Sequence, residues 1–323
     1  MFPWTDPPEP LRCDRFMAAA LHDPERGYYT RRIRQVGRRG DFSTVATISP
    51  ALGRGVARWA RKALAKTRCR DLIELGPGDG SLSAAVLAGL SLTARWRTRL
   101  HLVERSEALR EVQRKLLGNQ VRWHDSAVAA LEACGGKACL FSNEFLDAFP
   151  ARRFKRDPEG WRESWILPGQ ERWLPGPALP RSSVFDLKWP EGQVIEVHDA
   201  VRDWLGETLP RWRRGRMLTI DYGAEAVDLY QRRPGGSLRG YFHHQVIEGD
   251  ECFTRAGHQD LTCDVNFTDL VAWSAPWTRT TRLATQAGFL ADHVDPLEAA
   301  DRIAVDVHGA GGSFLVWEAE CRA

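Results

Sequence analysis

Residues 71–81 read Asp-Leu-Ile-Glu-Leu-Gly-Pro-Gly-Asp-Gly-Ser, and no other stretch of the chain restricts its fold as much. An apolar run of strand length ends in a turn with glycine at Gly76, Gly78 and Gly80. Ser81 then opens a segment of helical character that reaches Leu90. Glycines at alternate positions let a backbone approach a ligand closely, because no Cβ stands in the way. The following helix turns its free N–H groups and positive dipole end toward the same place. Strand, glycine turn and helix in that order begin an open α/β sheet, whose ligand lies at the carboxyl ends of the strands.

The glycine spacing narrows the ligand. Dinucleotide sites usually carry G-x-G-x-x-G, whereas this turn is G-x-G-x-G with Ser81 in the third glycine's place. Glu74, just before the turn, suits a ligand with a sulfonium and an amino group better than a pyrophosphate. The expected cofactor is therefore S-adenosyl-L-methionine. Glu104 follows the next apolar run, Leu100 to Val103, where a carboxylate can accept both hydroxyls of a ribose. His124-Asp125-Ser126 follow a third run, Val121 to Trp123. Asp125 there can accept an adenine amino group or cap the helix that starts near Ala127.

The alternation continues through Ala108 to Leu117 and Ala127 to Ala133 as helices, and Ala138 to Phe141 as a fourth strand. Such spacing implies a parallel sheet covered on both faces. Upstream, Leu11 to Leu21 and Pro50 to Ala65 read as helices, separated by a long loop from Tyr28 to Thr47. Past Pro150 the pattern breaks, and residues 151–195 read as a β-rich insertion. Helix and strand resume with His198 to Trp212 and Met217 to Ile220. Asp221 to Asn266 is irregular, and Gly311 to Trp317 is a last strand without a defined partner. The expected division is residues 1–66, an N-terminal helical segment; 67–150, the first part of a Rossmann-like core; 151–195, the insertion; and 196–323, the rest of the core, with a substrate-side insertion at about 224–270.

Asn143 and Glu144 lie just past the fourth strand, where ligands bind. Asn143 can donate and accept, and Glu144 can hold a cation or take a proton. Asp147 reads as structural. Asp221, at the end of the following strand, is a second acidic candidate. His243 and His244 are possible bases, although paired histidines in a polar loop are more often solvated.

Composition excludes more than it selects. A net charge of +3 gives no argument for nucleic acid or for a membrane surface. The Arg31, Arg32, Arg34, Arg38 and Arg39 cluster reads first as a solvated loop and second as a positive rim. No apolar run is long enough for a bilayer span, so no membrane insertion is expected. Residues 1–10 hold Asp6, Glu9 and four prolines, unlike a secretory signal. Seven cysteines without a C-x-x-C pair indicate neither a disulfide framework nor a zinc site, and reduced thiols in a cytoplasmic setting are expected.

Taken in order, the motifs resemble the MidA family of class I S-adenosylmethionine-dependent methyltransferases, which includes an arginine methyltransferase of mitochondrial complex I assembly. The resemblance rests on Phe16-Met17, on His22 to Tyr29, on Gly37 to Thr44 and on Ile48-Ser49-Pro50. Downstream it rests on Glu74 to Gly80, Asn143 to Ala148, Ile220 to Gly223, Gly236 to Tyr241 and Gln259 to Phe267. It implies a class I core with inserted segments that cap the active site. Gly40, Asp41, Phe42 and Thr44 would close over the cofactor. Glu74, Gly76, Gly78 and Glu104 would bind it, with Gly80, Asp125 and Ser126 beside them, and Asn143 and Glu144 would face the substrate. Ala46-Thr47 stand where the family usually has Pro-Glu, and Cys263 and Asn266 where it more often has Ala and Asp.

A guanidinium nucleophile is charged at neutral pH, so carboxylates must bind it and accept a proton. Glu144 is the first candidate for that role and Asp221 the second. The leading expectation is a methyltransferase acting on an arginine of a partner protein. A small-molecule methyltransferase and a non-catalytic cofactor-binding assembly factor stay open beside it.

Overall fold

The computed structural model describes residues 3, 9–31, 50–176, 178–243, 245–294 and 301–322. Its strands are β1 (Leu11–Arg12), β2 (Asp71–Leu75), β3 (Arg99–Val103), β4 (Val121–His124), β5 (Ala138–Asn143), β6 (Arg152–Asp157), β7 (Gly160–Leu167), β8 (Gln170–Pro175), β9 (Val194–Val197), β10 (Arg216–Ala224), β11 (Arg239–Phe242), β12 (Gln245–Ile247), β13 (Asp260–Thr262), β14 (Val265–Asn266), β15 (Thr278–Thr285) and β16 (Phe314–Cys321). The chain falls into two compact units, one of residues 1–34, 146–203 and 223–272, the other of residues 35–145, 204–222 and 273–323. This division differs from the one expected from sequence. The N-terminal helix and both insertions share one unit, whereas helix Pro50–Thr67 belongs with the Rossmann-like core.

The core unit is built on a sheet in the order β15-β16-β10-β5-β2-β3-β4. Strands β10, β5, β2, β3 and β4 are parallel neighbours, and β16 runs antiparallel between β10 and β15. Every residue of β2 and β5 is buried. That explains their continuous apolar character, since a parallel strand covered on both faces has no solvent side to alternate with. Helix Pro50–Thr67 turns Leu52, Val56, Trp59, Ala60 and Ala63 inward at helical spacing. It packs closely on helix Ser81–Ala88: a Cβ on Gly53 would lie 2.4 Å from that of Ala85.

Strand order reverses between β2 and β5, so the connections leaving their carboxyl ends run to opposite sides, the place where open α/β sheets bind ligands. The Rossmann-like α/β fold is thus present, with its switch point at Gly76 and Asn143. Three features differ from the sequence expectation. Helix Leu92–Arg97 precedes β3, and β15 edges the sheet; neither was expected. The last strand is Phe314–Cys321 rather than Gly311 to Trp317, and its partners are β10 and β15.

The other unit holds helix Cys13–His22, which buries Phe16, Met17, Ala20 and Leu21. Its larger sheet runs β1-β7-β6-β9 with β8 against β7, in agreement with a β-rich segment after Pro150. The segment from 221 to 266, expected to be irregular, contains a small antiparallel sheet, β12-β11-β13. Tyr28–Arg31 forms one helical turn, and the rest of the expected loop, including Arg32, Arg34, Arg38 and Arg39, lies outside the described residues.

Candidate functional site

The glycine turn is left-handed at all three glycines, with φ of +63° at Gly76, +54° at Gly78 and +85° at Gly80. Side chains with a Cβ adopt this conformation at a cost. The turn is tied down by Gly80 N–H to Pro77 O at 2.8 Å and Gly76 N–H to Val103 O at 3.3 Å. Asp79 Oδ1 accepts from Ser81 N at 2.9 Å, which satisfies a free N–H at the start of helix Ser81–Ala88. Phe145 closes over Gly76, where a Cβ would meet Phe145 Cδ2 at 2.7 Å.

Glu74 is buried in β2, and the Ser83 hydroxyl donates to its Oε2. Burial pushes its carboxyl up to about 8, opposed by the Ser83 hydrogen bond and reinforced by Asp79. Between its ordinary value of 4.5 and about 8, the folded chain holds a proton that the unfolded chain has released. Its contribution to stability is therefore full at low pH and lost as pH rises through that window. Denaturant midpoints of the cofactor-free chain are expected to fall between about pH 5 and about pH 9 more steeply than those of Glu74→Gln. Parallel curves would show that Glu74 does not titrate in this range.

Glu104 sits just past β3 and its Oε1 accepts from Ser106 N at 2.7 Å. Burial raises its pKa above the ordinary value, with Ser106, Arg105, Arg110 and Gln113 acting against the rise. Gln113 is a site residue that sequence reasoning missed. It is fully buried, donates Nε2 to Gly78 O at 2.7 Å and accepts from Trp123 Nε1 at 2.8 Å. It ties helix Glu107–Leu117 and β4 to the glycine turn. The signal was a polar residue on the apolar stripe Leu109, Gln113, Leu117. Gln113→Leu leaves Gly78 O without this donor, and it is expected to weaken S-adenosylhomocysteine binding about tenfold in calorimetry. An unchanged affinity would remove Gln113 from the site.

The side chain of Asp125 is 85% exposed and accepts from Arg110 Nη2 at 2.6 Å. The capping role considered for Asp125 belongs to Ser126, whose Oγ accepts from Ala129 N at 3.1 Å at the head of helix Ala127–Ala133.

At the end of β5, Glu144 is one of three non-glycine described residues with positive φ, at +51°. Such strain persists only where surroundings impose it, and it concentrates at functional sites. The Glu144 amide donates to Ile220 O at 3.0 Å, and Asn143 Nδ2 donates to Glu144 Oε1 at 2.9 Å. Asn143 is nearly buried, and its Oδ1 has no hydrogen-bond partner among the described residues. A buried acceptor without a donor is costly, and it marks a place where a ligand N–H fits.

Asp221 lies within β10 rather than at its end. It is fully buried, its Oδ2 accepts from Phe145 N at 3.1 Å and its Oδ1 from Tyr222 N at 3.0 Å. Each oxygen accepts from a backbone N–H, and the Oδ2 bond ties Asp221 to the Glu144–Phe145 turn. Gly40, Asp41, Phe42, Thr44, Ala46, Thr47 and His244 lie outside the described residues. His243 has a φ of +47° and packs edge-on against Phe242.

In the other unit, three of the quoted motifs meet. Tyr29 Oη donates to Asp260 Oδ1 at 2.8 Å, His22 stacks on Tyr29, and His22 Nε2 lies 3.4 Å from Ala148 O. Cys263 N donates to Asp147 O at 3.0 Å. Burial pushes Asp260 up to about 6, against the Tyr29 hydrogen bond.

The left-handed turn, the adjacent acidic side chains and the Asn143 oxygen, without a partner among the described residues, suit a ligand with donors and cationic groups. Residues 51–282 match the family described as "Putative S-adenosyl-L-methionine-dependent methyltransferase". The chain is 27% identical over 298 residues to "Protein arginine methyltransferase NDUFAF7, mitochondrial" of Rattus norvegicus, covering 81% of this chain and 65% of the relative. It is 28% identical over 296 residues to the Danio rerio protein of that name, covering 81% and 68%. The chain thus spans just under two thirds of the rat relative's length. A solved structure of a COG1565 superfamily member from Burkholderia thailandensis, bound to S-adenosyl-homocysteine, superposes with a TM-score of 0.82 at 26% identity, covering 96% of this chain and 88% of that one. Among the described residues, no helix is long and apolar enough to cross a membrane.

Proposed function

The chain belongs to the family of S-adenosyl-L-methionine-dependent methyltransferases, and from that premise we propose that it methylates an arginine side chain of a partner protein. The observation that carries the reading is Glu144: a carboxylate on a strained, left-handed residue at the sheet's switch point, next to a buried acceptor that has no donor among the described residues. The rat and zebrafish relatives, named as protein arginine methyltransferases, support the same choice of acceptor.

Glu74, Gly76, Gly78, Gly80 and Glu104 would hold S-adenosylmethionine, with Gln113 supporting the turn. The lack of Cβ atoms at the three glycines fits a ligand lying against the backbone. When bound, the cofactor supplies a methyl group already activated on a sulfonium, so the protein's task is to position the acceptor and manage its proton. Glu144 would pair with the guanidinium and take the proton that the nitrogen gives up. Asn143 Oδ1 would accept a second guanidinium N–H. Asp221 would keep this turn in place through its bond to the Phe145 amide.

The experiment is transfer of labelled methyl from S-adenosylmethionine into a cell extract, followed by acid hydrolysis of the protein fraction. Methylarginine is the expected product. Label recovered only in small molecules would favour the small-molecule reading. No label in any fraction, with cofactor binding intact, would favour an assembly factor without turnover.

A further inference from the structure

Asp71, His101 and Cys134 form a buried cluster that plays no part in the reaction proposed above. Asp71 opens β2, His101 sits in the middle of β3, and Cys134 follows helix Ala127–Ala133. One carboxylate oxygen, one ring nitrogen and the sulfur all lie within 4.8 Å of one another. His101 Nε2 is 3.0 Å from Asp71 Oδ1 and 3.6 Å from Cys134 Sγ. The His101 side chain is fully enclosed, and Asp71 and Cys134 are nearly so.

We propose that Asp71 Oδ1, His101 Nε2 and Cys134 Sγ bind a zinc ion that ties the start of β2, the middle of β3 and the end of helix Ala127–Ala133 together. One imidazole nitrogen, one carboxylate oxygen and one thiol sulfur converge on the same space. A cation among the three satisfies all of them. A tetrahedral zinc with ordinary bond lengths places a histidine nitrogen and a cysteine sulfur about 3.5 Å apart, close to the separation seen here. A mixed nitrogen, sulfur and oxygen donor set is suited to zinc, and three protein donors leave one position for water.

The surroundings are those of a supported metal site. His101 Nδ1 lies 2.9 Å from His124 Nε2, and the two rings stack with centroids 5.1 Å apart. Ligating histidines generally donate their second ring N–H to an acceptor, a place that His124 Nε2 can fill here. Asp71 is gripped by Arg99, with Nε 2.7 Å from Oδ1 and Nη2 2.5 Å from Oδ2. A hydrogen-bonded ligand carboxylate is likewise usual. On binding, the thiol proton leaves to solvent and the sulfur takes the metal as thiolate. In the zinc-bound state His101 carries its proton on Nδ1 and donates it to His124 Nε2, while His124 carries its own proton on Nδ1; both rings are neutral, so the thiol proton is the one released per zinc.

The test uses the full chain, stripped with a chelator and titrated with zinc alone against a colorimetric competitor. The expected result is one zinc per chain, with affinity reduced at least tenfold in Cys134→Ala and about tenfold in the supporting variant His124→Gln. Cys69→Ser, which changes a thiol outside the cluster, is expected to keep the wild-type affinity. S-adenosylhomocysteine titration of each variant reports that the core remains folded. No zinc retained by the wild type would overturn the proposal. So would unchanged binding in both Cys134→Ala and His124→Gln, or a loss of affinity in Cys69→Ser equal to that in Cys134→Ala.

Discussion

Glu144→Gln is expected to lower methyl transfer by at least about a hundredfold while S-adenosylhomocysteine still binds with near wild-type affinity. Glutamine preserves the length of the side chain and an acceptor for Asn143 Nδ2, which now reaches Glu144 Oε1 at 2.9 Å. It removes the negative charge that pairs with a guanidinium and the base that takes its proton. The glycine turn and Glu104 are untouched, so cofactor binding is a control within the same sample. A variant with wild-type turnover would take Glu144 out of the mechanism. Glu144→Gly separates strain from charge: glycine adopts the +51° φ without penalty. That variant is expected to be at least as inactive as Glu144→Gln, because conformation alone does not replace the carboxylate.

Gly76→Val is expected to abolish cofactor binding, with a loss of affinity of about a hundredfold or more, equivalent to about 3 kcal/mol. Two effects act together. The φ of +63° places any β-carbon in the left-handed region, at about 1–2 kcal/mol. The Cβ would also lie 2.7 Å from Phe145 Cδ2, and the two further methyl groups of valine add to the conflict. Phe145 cannot move alone, since its amide is held by Asp221 and its ring packs edge-on against Trp204 at 5.5 Å. Relief on either side therefore displaces the glycine turn or Glu144. Titration with S-adenosylhomocysteine and a thermal melt of the same preparation check this. Wild-type affinity would mean that the ligand does not approach the backbone at Gly76.

What the sequence revealed follows from burial. Strands β2 and β5 were legible because parallel strands covered on both faces read as short apolar runs between helices. Strand β15 lies at the sheet edge and reads Thr-Arg-Thr-Thr-Arg-Leu-Ala-Thr, mostly polar, so no hydrophobic pattern marks it. Helix Leu92–Arg97 buries no residue and has no apolar stripe against a core to detect. The mixed polar and aromatic stretch before Asn266 concealed three strands of three or four residues, too short to show an alternating pattern.

At the site, residue types were legible and their tasks were not. Glu144 stood out by its place after a strand, but its left-handed backbone is a tertiary constraint with no sequence mark. Asp221 occupied an equivalent place, and only the Phe145 and Tyr222 amides on its oxygens reveal that it supports a turn. Asp125 was read as an adenine contact or a cap, and the geometry gives the cap to Ser126. Gln113 was passed over because a glutamine in a helix is ordinarily a surface residue.

The most direct test of the cofactor site is calorimetric titration of the purified chain with S-adenosylhomocysteine, alongside NAD and the Glu104→Ala variant. The account predicts micromolar binding of S-adenosylhomocysteine to the wild type, a loss of about a hundredfold in Glu104→Ala, and no binding of NAD. Absence of S-adenosylhomocysteine binding, or equal binding of NAD, would contradict the assignment of the glycine turn on which the proposed function rests.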